Sequence, residues 1–345
     1  MRSVERMAWG AILTLALIAG SLWVTVIRPG ARQDCTIFTA AQGDTVLFGN
    51  SEDTHFRELL IGFYPASGDG YGSVHFGFRM RNGSIQFGGA VNDQGLAWDL
   101  NSTPRFRLNP HPELPYSHAQ DNYLSTITEQ AATVEEAIRI AKNFDFGDEL
   151  EGQFHIADAT GDAVVISAGP DGEIAFTHKA PGEGHLVSTN FALGAPERGP
   201  VDWRYATARL MLDAGRVEQA LTPSYAMSVL DAVHLRTLTS FTLYANVIDL
   251  KNQVIYLTYM SQFGEVVEID IGEELSKGQR ISQMAHLFRT ATVEAGDADY
   301  GRFAARFHAA IAAVLALGVA SLVGTTVMIV KRVSRRRRTR QRKGE

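Results

Sequence analysis

Two long apolar runs stand near the ends of the chain, at residues 7–27 (MAWGAILTLALIAGSLWVTVI) and 309–330 (AAIAAVLALGVASLVGTTVMIV). Each is free of charge and long enough to cross a hydrocarbon core of about 30 Å as a helix. Between them the pattern shortens to alternation. CTIFTAA and TVLFGNS, separated by Gln-Gly-Asp, predict a hairpin at the start of this region. SVHFGFRM, IQFGGAV and LAWDL, separated by Asn-Gly and Gln-Gly turns, predict three more strands. The stretch GQFHIADATGDAVVISAGPDGEIAFTH reads as strand, turn, strand, turn, strand. Apolar residues at helical spacing predict helices over 134–144, in VDWRYATARLMLDAG and in SYAMSVLDAVHLR. FTLYANVIDLKNQVIYLTYM closes the series as a hairpin. Antiparallel strand runs with segregated helices predict an α+β fold.

Charge divides the chain in the same way. Of 32 Lys/Arg and 38 Asp/Glu, 4 and 2 lie in residues 1–34 and 9 and 1 in residues 331–345. That leaves 19 and 35 between, a net charge of −16, which excludes nucleic acid as a partner of this region. Arg2 and Arg6 precede the first run, and KRVSRRRRTRQRKGE follows the second. The positive-inside rule therefore places both ends in the cytoplasm and the region between them outside. The basic tail reads as a stop-transfer anchor against anionic headgroups, with a cytoplasmic partner as the alternative. The expected organisation is a leader or anchor in 1–34, one domain over 35–275, a polar stalk over 276–308, a membrane helix over 309–330 and a tail over 331–345. A final helix of the domain is the alternative to the stalk.

The chain has no HExxH, GxxxxGK[ST] or GxSxG and no His/Cys ligand spacing. DATGDAV at 158–164 is too short for a calcium loop and fits a hairpin turn. His155 sits on an apolar strand and reads as a core histidine, and His55 as a loop residue beside an acidic cluster. Cys35 is the only cysteine, so neither an intrachain disulfide nor a multi-cysteine metal site exists. A free cysteine is ordinarily a small buried hydrophobe. Its setting here is different. RPGARQDC lacks the small apolar residues that lipidation or signal-peptidase cleavage wants. If the bond between Asp34 and Cys35 is broken, Cys35 carries both a thiol and an α-amine titrating near ~7.7–8, able to take the thiol proton.

Cys-Thr opening a strand, followed by a turn and LFGNSED, resembles the start of the choloylglycine hydrolase superfamily, the bile acid hydrolases and penicillin V acylases among the Ntn hydrolases. VNDQGLAWDLN (91–101), VSTNFALG (187–194) and WRYATARL (203–210) resemble later segments of that family, in order, across about residues 35–260. The resemblance implies a four-layer αββα fold and an amidase acting on a linear N-acyl amide, with no metal or organic cofactor. It makes Cys35 the nucleophile, Asp53 the residue orienting its amine, Asn190 the oxyanion donor and Asn101 a second asparagine of the site. Arg204 is the expected site arginine, with Arg209 competing. Asn50, Asn92 and Trp98 are secondary candidates for substrate contact. YPASGDGYGSVHF and RFRLNPHPELPYSHAQDNY are candidate walls of the acyl pocket. One departure stands out: Asn50 occupies a position where bile acid hydrolases carry arginine, and a positive charge there would favour thiolate. The implied product is a membrane-tethered amidase that frees Cys35 by cutting itself. The alternatives are an acyltransferase of the same fold and an inactive, ligand-binding outer domain.

Overall fold

The computed structural model describes residues 35–54, 58–80, 82–117, 123–180, 182–195, 202–218 and 221–341. The apolar run at 7–27 and His55 lie outside them. β1 (Thr36–Gln42) and β2 (Thr45–Asp53) form the expected first hairpin. Gly43 turns it at φ +59°, a left-handed conformation that glycine adopts without strain. β3 (Leu59–Tyr64), β4 (Ser73–Arg79), β5 (Ile85–Asn92) and β6 (Ala97–Arg107) follow as antiparallel neighbours. Helices α1 (Tyr123–Gln130) and α2 (Val134–Ala141) come next. β7 (Glu149–Ala157), β8 (Ala163–Ala168) and β9 (Ile174–His178) are joined as the turn residues predicted. Asp158 to Asp162 make the first of these turns, with Gly161 at φ +88°. β10 (His185–Ser188) leads toward α3 (Trp203–Val217) and α4 (Pro223–Val233). β11 (Thr242–Asp249), β12 (Val254–Tyr259) and β13 (Gln262–Asp270) form a meander, followed by α5 (Ile271–Ser276).

These strands make two antiparallel sheets. One runs β10-β1-β2-β11-β12-β13 and the other β14-β3-β4-β5-β6-β7-β8-β9, with β14 spanning Arg280–Gln283. Alternation assigns the faces. On β1 and β2, Phe38, Ala40 and Leu47 pack with Ala208, Leu212, Met227 and Leu230 of α3 and α4. On β6 and β7, Trp98, Phe154 and Ile156 pack with Tyr123, Ile127, Val134 and Ala137 of α1 and α2. The opposite faces of the two sheets meet, as the hydrogen bond between Thr39 and His155 and the stacked rings of Phe76 and Tyr244 record. The architecture is the expected αββα sandwich.

The expected stalk begins inside the fold. β14 pairs with β3, and Met284 is fully buried. Asp299 accepts a hydrogen bond from Gln262 and an ion pair from Arg236. The segment includes an edge strand, whose outward positions Ile281 and Gln283 stay exposed. The sandwich unit accordingly extends to Tyr300. A second unit begins at Gly301. α6 (Thr290–Gln341) contains an 18-residue apolar window of mean hydropathy 2.2, and by length and composition it is long enough to cross a membrane. Its large apolar side chains, among them Leu315, Leu317, Val323 and Met328, are exposed.

Candidate active site

The inward face of the sandwich is unusually polar at one end. Register explains which groups meet there. Thr36 pairs with Ser51, so Cys35, one step earlier, lies beside Glu52, and Glu52 in turn pairs with Tyr244 of β11. The next row along this face is Ile37, Asn50 and Asn246. From the facing sheet, Asp99 and Asn101 project from β6, and Gln153 and His155 from β7. Side chains of this set that come into hydrogen-bonding range include Asn50 with Asp99 and His155 with Thr39. Cys35, Asn50, Glu52, Asp99, Asn101, Gln153, Tyr244 and Asn246 are all buried.

Cys35 donates from Sγ to Glu52 Oε2 at 3.5 Å, and its carbonyl accepts from Asn101 Nδ2 at 3.0 Å. Burial drives its thiol well above the ordinary range, and Glu52, Asp99 and Asp53 add to the rise. A hydrogen bond from the Asp53 backbone N–H opposes it. At rest the sulfur is a neutral thiol. Burial raises Glu52 to about 8, although its hydrogen bonds with Cys35 and Asn50 pull downward. Asp99 is likewise pushed well up by burial and by Glu52, against a hydrogen bond from the Leu100 backbone N–H.

Asp53 and Asn190 are tied together through Arg204. Its guanidinium reaches Asp53 Oδ2 at 3.2 Å through Nη1, Asn190 Oδ1 at 2.6 Å through Nη2, and Asp202 Oδ2 at 2.9 Å through Nε. Asp202 also caps α3, accepting from the Arg204 backbone N–H at 3.0 Å. One carboxylate thus starts the helix and aims its second side chain. On its other oxygen, Asp53 accepts from Thr242 Oγ1, where a bulge shifts the β2–β11 register. Asn190 Nδ2 donates to Ser102 O at 2.8 Å. Gln153 holds the backbone on either side of Asn190, donating to Thr189 O at 2.6 Å and Phe191 O at 2.9 Å and accepting from Leu193 N–H at 3.0 Å. Arg209, the competing arginine, is exposed on α3 with its guanidinium over the Tyr205 ring.

The structure therefore brings Asp53, Asn190 and Arg204 into one bonded group and Cys35 and Asn101 into another, adjacent along β1, β2 and β6. Asn50 lies in the second group, donating to Asp99 Oδ2 at 2.8 Å. Asn92 and Trp98 have other roles. Asn92 donates to Thr128 O and Ala131 O and accepts from the Gln94 and Leu96 backbone N–H groups, closing the β5–β6 turn onto α1. Trp98 packs in the core beneath α1 and donates to Thr128 Oγ1 at 2.7 Å. His155 is the core histidine expected. It is bonded to Thr39 and Ser188, set edge-on to Phe48 and held neutral by burial, its pKa lowered to about 3. Sequence reasoning missed Glu52, Asp99, Gln153 and Tyr244. The signal for Glu52 was available: alternation from Phe48 through Asn50 places a charged residue on the buried face.

No family model and no curated protein matches the chain. Solved structures do. Two structures of conjugated bile acid hydrolase from Clostridium perfringens, a mutant and a variant, match at 14% and 15% identity with TM-scores of 0.50 and 0.51. Each covers 72% of this chain and 96% of its own. Penicillin V acylase from Agrobacterium tumefaciens matches at 17% identity and a TM-score of 0.51, over 72% of this chain and 90% of its own. At these identities the likeness is one of fold, and the fold is that of the Ntn hydrolases.

Proposed function

We propose that this Ntn-hydrolase sandwich is an amidase that cleaves the C–N bond of a linear N-acyl amide with Cys35 as an N-terminal nucleophile. The observation that carries the reading is the joining of Asp53, Asn190 and Arg204, far apart in sequence, next to the only cysteine. Structures of proteins named as a bile acid hydrolase and a penicillin V acylase share the fold, which supports amide chemistry in general.

In the mature chain, Cys35 begins the protein and its α-amine takes the thiol proton. Asp53, steadied by Arg204 and Thr242, orients that amine. Sγ attacks the acyl carbonyl, and the oxyanion is held by the Asn190 amide, which Arg204 and Ser102 orient. The amine then protonates the leaving nitrogen, and water releases the acyl group from the thioester. Residues 1–34 leave by the same chemistry, with Cys35 attacking the Asp34 carbonyl. The exposed apolar stretch of α6 and the nine basic residues after it tether the enzyme to a membrane, with the sandwich outside the cytoplasm.

N-terminal sequencing and intact mass of the purified protein, followed by assay of amine release from a panel of N-acyl amides, test the reading. The expected protein begins at Cys35 and loses turnover in Cys35→Ser. An active chain that retains residues 1–34 overturns it, because its α-nitrogen is an amide and no base.

A further inference from the structure

The uncut chain poses a chemical problem that the mature enzyme does not. Before cleavage, the Cys35 nitrogen is part of a peptide bond and cannot take a proton. Some other group must activate the thiol for the first cut. Asn101 contacts Cys35 on its carbonyl, not on its sulfur. His155 has both ring nitrogens engaged, by Thr39 and Ser188. Glu52 touches the sulfur itself, with Oε2 accepting from Sγ at 3.5 Å.

Resting on the self-cleavage reading above, we propose that Glu52 is the catalytic base and acid of that first cut, a role the α-amine takes over once it exists. Glu52 Oε2 removes the proton from Cys35 Sγ, and the sulfur's electron pair attacks the Asp34 carbonyl carbon. The tetrahedral adduct collapses as Glu52 returns that proton to the Cys35 nitrogen and the C–N bond breaks. Residues 1–34 are then a thioester on Sγ, and the amine is free. Water hydrolyses the thioester, giving the Asp34 carboxyl group and the thiol. Glu52 ends as it began.

The surroundings fit a base working near neutrality. Facing Glu52 are Cys35, just before β1, Asn50 from β2, Asp99 from β6 and Tyr244 from β11, while Asp53, next on the strand, acts on Cys35. Asn50 donates to Asp99 Oδ2 at 2.8 Å, and its amide also eases the rise of Glu52. Arginine at this position would hold Glu52 ionised and lower its basicity. Asparagine leaves it with a pKa of about 8, close to that of the amine which succeeds it. Only ionised Glu52 can accept the proton, so cutting should quicken as pH rises and level off above about 8.

The experiment follows cutting of the newly made full-length chain in detergent between pH 6 and 9, by intact mass. Wild type is expected to cut faster with rising pH. Glu52→Gln, nearly the same shape, is expected to cut about 100-fold more slowly and to lose the pH dependence, as removal of a general base predicts. Glu52→Asp, which keeps the carboxylate but withdraws it from the sulfur, should fall between and keep the dependence. It also carries the test if Glu52→Gln misfolds. Cutting of Glu52→Gln at the wild-type rate and pH profile overturns the proposal while self-cleavage stands. A wild-type chain that stays whole, or a Cys35→Ala chain cut as fast as wild type, overturns self-cleavage itself and the role of Glu52 with it.

Discussion

Arg204 holds Asp53, Asn190 and Asp202 at once, and it does so from a buried position. A planar guanidinium can serve three acceptors in fixed directions, whereas a lysine ammonium cannot reproduce that fan. Arg204→Lys should therefore lower kcat about 100-fold through misplacement of Asp53 and Asn190. Arg204→Ala leaves the buried Asp53 carboxylate without its cation and should destabilise the fold by about 3–5 kcal/mol. Arg209→Ala, on the exposed face of the same helix, should stay within about 0.5 kcal/mol of wild type. Amide-release kinetics and chemical denaturation of the three variants check this contrast. At this scale short motifs single out Cys35, Asp53, Asn101, Asn190 and Arg204 as candidates, and the fold brings them near one another. The sequence hid Gln153, because a glutamine on a strand carries no motif. Its work appears only when the backbone it clamps, at Thr189 and Phe191, is folded beside it.

β2 shows how one strand separates structure from chemistry. Leu47 and Gly49 face α3 and α4, while Phe48, Asn50 and Glu52 face the opposite sheet. Gly49 is required on the helix side. A Cβ there would lie 2.4 Å from Phe38 Cζ, inside a ring that is itself fully buried. Gly49→Ala should cost about 1–3 kcal/mol by overpacking, read as a lowered denaturation midpoint. The hairpins were legible because their turns demand glycine or asparagine at defined places. β3 (LLIGFY) and β13 were not, since a short apolar run, or a half-exposed strand with polar residues, carries no turn of its own to mark it. α1 escaped for a related reason: in YLSTITEQ only Tyr123, Ile127 and Thr128 are buried, too few to declare a helical stripe.

At the scale of the whole chain, the α+β class followed from strand runs and segregated helices, and the αββα layering from the resemblance to choloylglycine hydrolases, but the domain boundary followed from neither. Polarity near 276–308 was read as a stalk. The polar groups there belong to an edge strand and to side chains such as Asp299 that bond back to the sandwich. The membrane reading predicts two anchors before cutting and one after. A wild-type chain stopped after His308 should leave the membrane pellet in alkaline carbonate once cut at Cys35. The same truncation in Cys35→Ala, which keeps residues 1–34, should remain in the pellet. Asp53 waits for partners far downstream: Arg204 is 151 residues away and Thr242 is 189. At roughly 5–20 residues per second of synthesis, about 10–40 s separate the making of Asp53 from the arrival of Thr242. Glu52, the base proposed for the first cut, likewise waits for its strand partner Tyr244 in β11, so the proposed self-cleavage would be clocked by the far end of the domain. The N-terminal tether would be let go only after the second tether's own sandwich is nearly complete, so a stalled or misfolded chain would stay moored at its start.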